Sequence, residues 1–295
     1  MKEPIFTGSA TALVTPYGEN GLDFDLLDAV LERQADSGTA ALAVSATTGE
    51  APVLSPSERA MLISFCSRRS AGRMKIIAGI GGNDTHAAAQ AAREAEIHGA
   101  DAVMLTAPYY NKASPEGLYR HFTYVSDHTG LPLIVYNVPG RTGVCCSADL
   151  YAKLAEISRI NGIKEASGDI SLVSETIRVC GDDMNIWSGN DDQTLPMMAL
   201  GAKGVISVAS NVIPSAVSQL CRACLENDFA AACAIHRKYA LLFRLLFIEV
   251  NPIPVKAALR LMGLDHGAYR LPLCPPEEAH LRQIEECLRD LLLIA

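Results

Sequence analysis

The stretch 75–107, KIIAGIGGNDTHAAAQAAREAEIHGADAVMLTA, contains the repeating unit that decides the fold. Two short apolar runs, KIIAGI (75–80) and AVMLTA (102–107), flank a segment of helical periodicity from Thr85 to His98. Asp84 precedes that segment and is of the residue type that caps a helix N-terminus. The stretch therefore predicts a strand–helix–strand unit, in which a helical crossover joins two parallel strands.

The same alternation continues along most of the chain. Further helical segments are predicted at Asp25–Ser37, Pro56–Arg69 and Pro115–Thr129, with Ser55 and Ser114 as additional N-caps. Eight apolar runs are predicted as strands: TALVT (11–15), ALAVSA (41–46), KIIAGI (75–80), AVMLTA (102–107), PLIVYNV (132–138), NGIKEAS (161–167), NIWSG (185–189) and GVISVAS (204–210). Nearly continuous apolar strands separated by helices indicate an α/β protein with a closed (β/α)8 TIM barrel. A doubly wound open sheet is the alternative.

The pattern changes in the last part of the chain. After GVISVAS the remaining segments are helical and are interrupted at Asn227, at NPIP (251–254) and at CPP (274–276). We therefore expect the barrel to occupy residues 1–225 and a C-terminal helical region to occupy residues 226–295.

Composition restricts the class of protein. Hydrophobic residues make up 49% of the chain and charged residues 20%, which suits a globular protein. A net charge of -8 disfavours binding to nucleic acid or to an anionic membrane. The first residues lack a long apolar stretch, and the apolar segment ALLFRLLFIEV is too short to span a membrane. We expect a cytoplasmic protein whose partners are small molecules.

Metal and nucleotide sites are not predicted. Cys221 and Cys224 have zinc-like spacing, but no second Cys or His pair stands at a matching distance, so both are expected to pack as small apolar side chains. The nine Cys are expected to be free thiols. The Gly-rich segment AGIGGNDT (78–85) fits neither the dinucleotide-binding motif nor the P-loop motif. We expect no metal and no cofactor.

Chemistry in such a barrel collects at the C-terminal ends of the strands. Reactive or polar residues at those ends are Thr47, Thr48, Tyr109, Tyr110, Tyr136, Arg141, Lys164, Gly189 and Asn190. Lys164 lies within a strand, where desolvation lowers the pKa of an amine and makes it nucleophilic toward a carbonyl, as in Schiff-base enzymes. The alternative for Lys164 is an ion pair with Glu165 or a side chain that reaches the rim.

The other candidates each have an ordinary structural explanation. Thr47 and Thr48 precede a Gly turn that can bind a carboxylate, or that simply caps a helix. Tyr136 can transfer protons, or pack with its hydroxyl satisfied. Arg141 can clamp a second carboxylate in bidentate fashion, or be solvated in its loop.

Together these residues resemble those of the dihydrodipicolinate synthase and N-acetylneuraminate lyase superfamily of pyruvate-handling aldolases. The resemblance extends from about residue 6 to residue 260. It is carried by FTGSATALVTP, ATTGEAPVLSPSER, PYYNKASPEGLYRHF, LIVYNVPGRTG, GIKEASGD, GVISVASN and NPIPVKAAL.

The resemblance implies roles for individual residues. Lys164 would form an imine with pyruvate, and Thr47 and Thr48 would hold the pyruvate carboxylate. Tyr136, Thr47 and Tyr110 would relay protons, with Tyr110 reaching in from a neighbouring subunit, which implies a tight dimer and usually a tetramer made of two dimers. Gly189 and Ile206 match positions whose backbone carbonyls line the pocket.

Arg141 decides between subfamilies. RTG after YNVPG is typical of the synthases, where the Arg binds the carboxylate of aspartate-4-semialdehyde, and it is generally missing from the lyases. The resemblance thus implies condensation of pyruvate with aspartate-4-semialdehyde on the route to diaminopimelate and lysine. The alternatives are an aldolase for N-acetylneuraminate or a 2-keto-3-deoxy sugar acid, and a catalytically silent barrel that binds a ligand.

The resemblance also bears on regulation. Many synthases of this family are inhibited by lysine, and a Glu that helps hold the lysine amino group in them corresponds here to Ala87. Nearby positions that carry Ser or His in inhibited members are Ala51, Pro56 and Arg59, although Asn83 still matches. We therefore expect weak or no inhibition by lysine.

Overall fold

The computed structural model describes residues 2–295, and within them eight parallel strands close into a barrel. The strands are β1 (Gly8–Ala12), β2 (Ala41–Val44), β3 (Lys75–Gly79), β4 (Ala102–Thr106), β5 (Leu133–Asn137), β6 (Ile160–Glu165), β7 (Asn185–Ser188) and β8 (Gly204–Ser207). β1 pairs with β8 on one side and with β2 on the other, so the sheet has no free edge. The predicted TIM barrel is confirmed, and the doubly wound alternative, which would leave two edge strands, is excluded.

The first strand is displaced along the sequence from its predicted position. β1 begins at Gly8, three residues before the predicted run, and ends at Ala12. The apolar residues that follow are buried for another reason: they form a loop beneath the C-terminal part of the chain. In that loop the Val14 N–H donates to Asn211 Oδ1, and the Thr15 carbonyl accepts from Lys256 Nζ.

Helices connect the strands and cover the barrel. The barrel helices are α1 (Phe24–Asp36), α2 (Pro56–Ser70), α3 (Thr85–Ile97), α4 (Pro115–Asp127), α5 (Ala148–Ala155), α6 (Ile170–Cys180), α7 (Thr194–Ala199) and α8 (Pro214–Leu225). Shorter helical turns lie at Ala51–Val53, Pro139–Thr142, Gly181–Asp183, Asp191–Gln193 and Ala209–Asn211, and a small hairpin pairs Tyr17–Gly18 with Gly21–Leu22.

The predicted N-caps are confirmed. Ser55 forms a capping box with Glu58, in which each side chain bonds the other residue's N–H. The Asp84 carboxylate accepts from the first N–H groups of α3, and Ser114 Oγ accepts from Gly117 N–H. These caps satisfy amide groups that have no partner inside the helix, which is why each helix begins where the sequence predicts.

Side chains alternate between the barrel interior and the helix layer. In β2, Ala41 and Ala43 pack in the interior cluster, whereas Leu42 and Val44 pack against the surrounding helices. In β5 the residue that faces inward near the strand end is Tyr136, and its neighbour across the sheet is Lys164 of β6. Register alone therefore brings these two candidates together.

Three helices follow the barrel: α9 (Phe229–Leu245), α10 (Ile253–Leu261) and α11 (Glu278–Asp290). The interruptions expected at Asn227, NPIP and CPP fall at or before the starts of these helices. The division between residues 225 and 226 remains our proposal.

Cys221 and Cys224 are buried in α8, as expected of small apolar side chains. Among residues 2–295, no helix is long and apolar enough to cross a membrane.

Candidate active site

A cavity of about 440 Å³ opens at the C-terminal mouth of the barrel. Thr47, which follows β2, contributes to its wall together with Tyr136 and Arg141, which lie at and just after the end of β5. Other lining residues include Ser45, Gly79, Thr106, Tyr109 and Arg59. The structure thus brings together four of the side chains that the sequence singled out, Thr47, Tyr109, Tyr136 and Arg141, and places Lys164 beside Tyr136.

Lys164 lies inside the barrel wall with its Nζ 4.2 Å from the centre of the Tyr136 ring. Burial lowers the pKa of Lys164 to about 7, and the nearby Arg141 acts in the same direction, while Asp191 opposes them. A substantial fraction of the amine is therefore neutral near neutral pH, as a nucleophile requires.

The alternative explanation of Lys164, an ion pair with Glu165, is wrong. Glu165 faces the other side of the strand, where its carboxylate accepts hydrogen bonds from Asn137 Nδ2 (3.0 Å), the Tyr151 hydroxyl (3.1 Å) and the Ser167 N–H (2.7 Å). Its hydrogen-bonding capacity is used there, so Glu165 does not neutralise the amine.

Tyr136 is a protonated phenol in this environment. Its burial raises its pKa to about 12, although Arg141 and a hydrogen bond with Thr47 each act to lower it. A phenol of this kind can donate a proton to a developing alkoxide and accept it again, and Thr47 is the next hydroxyl in line.

Thr48 and Gly49 form the tight turn that precedes α2. Thr48 is buried, and its Oγ1 accepts a hydrogen bond of 2.9 Å from Asn251 Nδ2. A Cβ at Gly49 would lie 3.0 Å from the Leu13 carbonyl oxygen and 3.2 Å from Thr15 Oγ1, so a larger residue here would require these neighbours to shift by a few tenths of an ångström.

Arg141 lies in the short helical turn that follows β5. Its Nη2 donates to the Asn251 carbonyl over 2.9 Å, and no carboxylate in the described residues 2–295 forms an ion pair with it. A planar guanidinium that lines the cavity and is held by one backbone carbonyl keeps further N–H groups for an anionic ligand.

Besides Lys164, five predicted residues do not line this cavity: Thr48, Tyr110, Gly189, Asn190 and Ile206. Tyr110 has a left-handed backbone (φ 68°) and is 92% exposed, and its neighbour Tyr109 lines the cavity instead. Gly189 follows β7, where a Cβ would lie 3.2 Å from Lys164 Cε. Ile206 is fully buried in β8 and pairs with Ala10. For Gly189 and Ile206 the predicted contribution is a backbone carbonyl.

Two buried residues near the site were missed by sequence reasoning. Asp191, in the turn after β7, accepts from Ser207 Oγ and from the N–H groups of Val208 and Ala209. Burial raises its pKa, and it is the carboxylate whose charge acts on Lys164. The sequence feature that could have pointed to it is the acidic pair Asp191 and Asp192, which follows NIWSG and Asn190.

Asn251 is the second missed residue. It bonds both Thr48 and Arg141, and its Oδ1 is buried without a partner in the described part of the chain. By itself the motif NPIP indicates only a break between helices. Its role at the site could not be predicted, because residues 48 and 141, which Asn251 contacts, are far from it in the sequence.

Residues 5–291 match the sequence model of the Dihydrodipicolinate synthetase family. The chain belongs to this family. Among members of the family, a 4-hydroxy-tetrahydrodipicolinate synthase from Sulfurihydrogenibium sp. (strain YO3AOP1) is 46% identical over 98% of this chain and 100% of that protein. A second, from Aquifex aeolicus (strain VF5), is 45% identical over 95% of this chain and 97% of that protein.

Solved structures of the same family superpose closely. The crystal structure of dihydrodipicolinate synthase from Aquifex aeolicus matches with a TM-score of 0.95 and 44% identity, covering 98% of this chain and 99% of the other. The chloride-inhibited enzyme from Acinetobacter baumannii, solved in complex with pyruvate, matches with a TM-score of 0.96 and 41% identity, covering 98% and 100%.

Proposed function

We propose that this chain is a 4-hydroxy-tetrahydrodipicolinate synthase, a lyase that condenses pyruvate with aspartate-4-semialdehyde through an imine on Lys164. The observation that carries the proposal is a buried amine with a lowered pKa beside Tyr136, a residue that lines the cavity together with Arg141 and Thr47. The relatives' shared name supports the same reaction, which serves diaminopimelate and lysine biosynthesis.

The first half-reaction activates pyruvate. The neutral amine of Lys164 attacks the ketone carbon of pyruvate, and loss of water gives the imine. Thr47 and Thr48 hold the carboxylate. The imine acidifies the pyruvate methyl group, which loses a proton to give an enamine, and Tyr136 with Thr47 carries the protons.

The second half-reaction forms the new carbon–carbon bond. The enamine carbon attacks the aldehyde of the second substrate, whose oxygen is protonated to the hydroxyl that the product retains. The amino group of the same substrate then attacks the imine carbon, closes the ring and releases Lys164. Arg141 orients this substrate by its carboxylate, which is why we favour the synthase over a sugar-acid aldolase.

Tyr110 enters the proposal through assembly. Its side chain is exposed on this chain, so we propose that it completes the proton relay in a neighbouring subunit, within a dimer that pairs into a tetramer. One similar structure is described as a monomeric variant, and it covers 98% of this chain at 39% identity.

Gly189 and Ile206 would supply backbone carbonyls to the pocket. Nine unpaired cysteines support action in the cytoplasm.

Two measurements test the function. A coupled assay with pyruvate and aspartate-4-semialdehyde, run beside N-acetylneuraminate cleavage, should give turnover only with the first pair. Borohydride added with pyruvate should trap an adduct on Lys164 that mass spectrometry locates, and Lys164→Ala should abolish it. An adduct that persists unchanged in Lys164→Ala would refute the role of this lysine.

A further inference from the structure

A buried ion pair lies between the Thr47–Glu50 loop and the C-terminal helices. Lys256 of α10 and Glu50 are both fully buried and form an ion pair with 2.7 Å between Nζ and Oε1. Neither side chain lines the cavity. Burying two charges is expensive unless further hydrogen bonds hold both of them, so the other partners of the pair are informative.

Those partners are backbone groups around the Thr47–Glu50 loop. Lys256 Nζ also donates to the Thr15 carbonyl (3.1 Å), and Thr15 Oγ1 donates to the Gly49 carbonyl (2.7 Å). The second carboxylate oxygen of Glu50 accepts from the Arg270 N–H (3.3 Å). Gly49 and Glu50 are therefore held from the side that faces away from the cavity.

The contacts around Glu50 hold its backbone in an unfavourable conformation. Glu50 has φ 57° and ψ 36°, in the left-handed region that a residue with a Cβ avoids. Such a conformation persists only where surrounding contacts impose it, and strain of this kind concentrates near functional sites. The Glu50 N–H closes the turn by donating to the Thr47 carbonyl over 3.1 Å, so any relaxation at Glu50 is passed to the threonines.

We propose that Glu50 and Lys256 are positioning residues: their buried ion pair sets the orientation of Thr47 and Thr48 toward the pyruvate carboxylate. The inference rests on the proposed function. Asn251, immediately before α10, supports it by bonding Thr48, so α10 and the segment that leads into it contact the loop at two points. The C-terminal helices would thus determine affinity for pyruvate without touching it.

The double variant Glu50→Gln with Lys256→Met tests whether the ion pair orients Thr47 and Thr48 or only stabilises the folded protein. Neutral side chains of similar size often replace a buried ion pair without loss of stability, so the melting temperature should stay close to the parent's. A methionine side chain at position 256 has no N–H to donate to the side chain of residue 50 or to the Thr15 carbonyl, so the loop loses its restraint. We expect the pyruvate KM to rise by about 10- to 100-fold, the effect of losing one hydrogen bond to a charged group, while the aldehyde KM changes by less than about twofold.

A matched control is Glu249→Gln. Glu249 is a partly buried acid of the C-terminal region that pairs with His280, and it has no hydrogen bond to the loop. Its loss should loosen the same region and leave the pyruvate KM unchanged. If the control raises the pyruvate KM as much as the double variant does, the effect is general loosening and the proposal is wrong.

The remaining outcomes are also decisive. A folded double variant with the parent's pyruvate KM overturns the proposal. If the double variant does not fold, Lys256→Met alone, which removes the same N–H donors, is titrated with pyruvate in the same way, and a KM equal to the parent's overturns the proposal. If the parent protein forms no borohydride-trapped adduct with pyruvate, the proposed function itself is wrong. This result is separate from the comparison of pyruvate KM values, which tests only the positioning role of Glu50 and Lys256.

Discussion

The lowered pKa of Lys164 predicts how the rate of imine formation depends on pH. Burial brings the pKa from 10.5 to about 7. At pH 7.5 about three quarters of the amine is then neutral, against about one part in a thousand for an ordinary lysine. This gain has a cost, since excluding water from the ammonium disfavours the charged form by about 5 kcal/mol.

Because only the neutral amine attacks pyruvate, the initial rate should rise about tenfold for each pH unit below 7 and level off above it. The direction follows from the sign of the shift: a base with a lowered pKa loses its proton, and becomes reactive, at lower pH. Samples taken at early times, quenched with borohydride and analysed by mass spectrometry, give the rate at Lys164.

Lys112 serves as an internal control, because it is exposed in the same protein. Any adduct on Lys112 gives the level of trapping at an exposed amine of the same protein under the same conditions. A rate at Lys164 that rises without a plateau through pH 9 would show that the amine is not desolvated, and the account of its activation would fail.

Other predictions concern the remaining residues of the site. Arg141→Ala should lower kcat/KM for the aldehyde by about 10- to 100-fold, through loss of a charge-assisted hydrogen bond, and should lower the rate of pyruvate trapping far less; equal damage to both half-reactions would contradict its role. Tyr136→Phe should lower kcat by about 100-fold or more with little change in melting temperature, because the ring still packs beside Lys164; a kcat near the parent's would remove Tyr136 from the proton relay. L-Lysine should inhibit only in the millimolar range or above, since Ala87 lacks a carboxylate and Arg59 adds a positive charge; initial rates across a lysine titration at subsaturating pyruvate check this, and half-inhibition at lower concentration would contradict it.

The barrel could be predicted from sequence because its signals are local. Strand and helix periodicity, and caps such as Ser55 and Asp84, depend on residues a few positions apart. The same holds for the candidate side chains at the strand ends, since the C-terminal ends of parallel strands converge on one mouth. Lys164 stood out because a charged residue within an apolar strand is costly unless it has a function.

Long-range contacts could not be predicted in this way. The sequence did not show that the apolar residues after Ala12 lie in a loop, because burial beneath another part of the chain looks the same as burial in a strand. It did not show that Glu165 turns outward toward Tyr151, which removes the partner that would have neutralised Lys164.

The sequence by itself determined the fold class, the approximate positions of the strands and the chemical types available at the mouth, since these follow from local pattern and from the geometry of parallel strands. Only the tertiary structure decided how the site is supported. Glu50 and Lys256 are 206 positions apart, and Thr48 and Asn251 are 203 apart. Pairings over such separations depend on how the C-terminal helices pack on the barrel, and no local pattern records that packing.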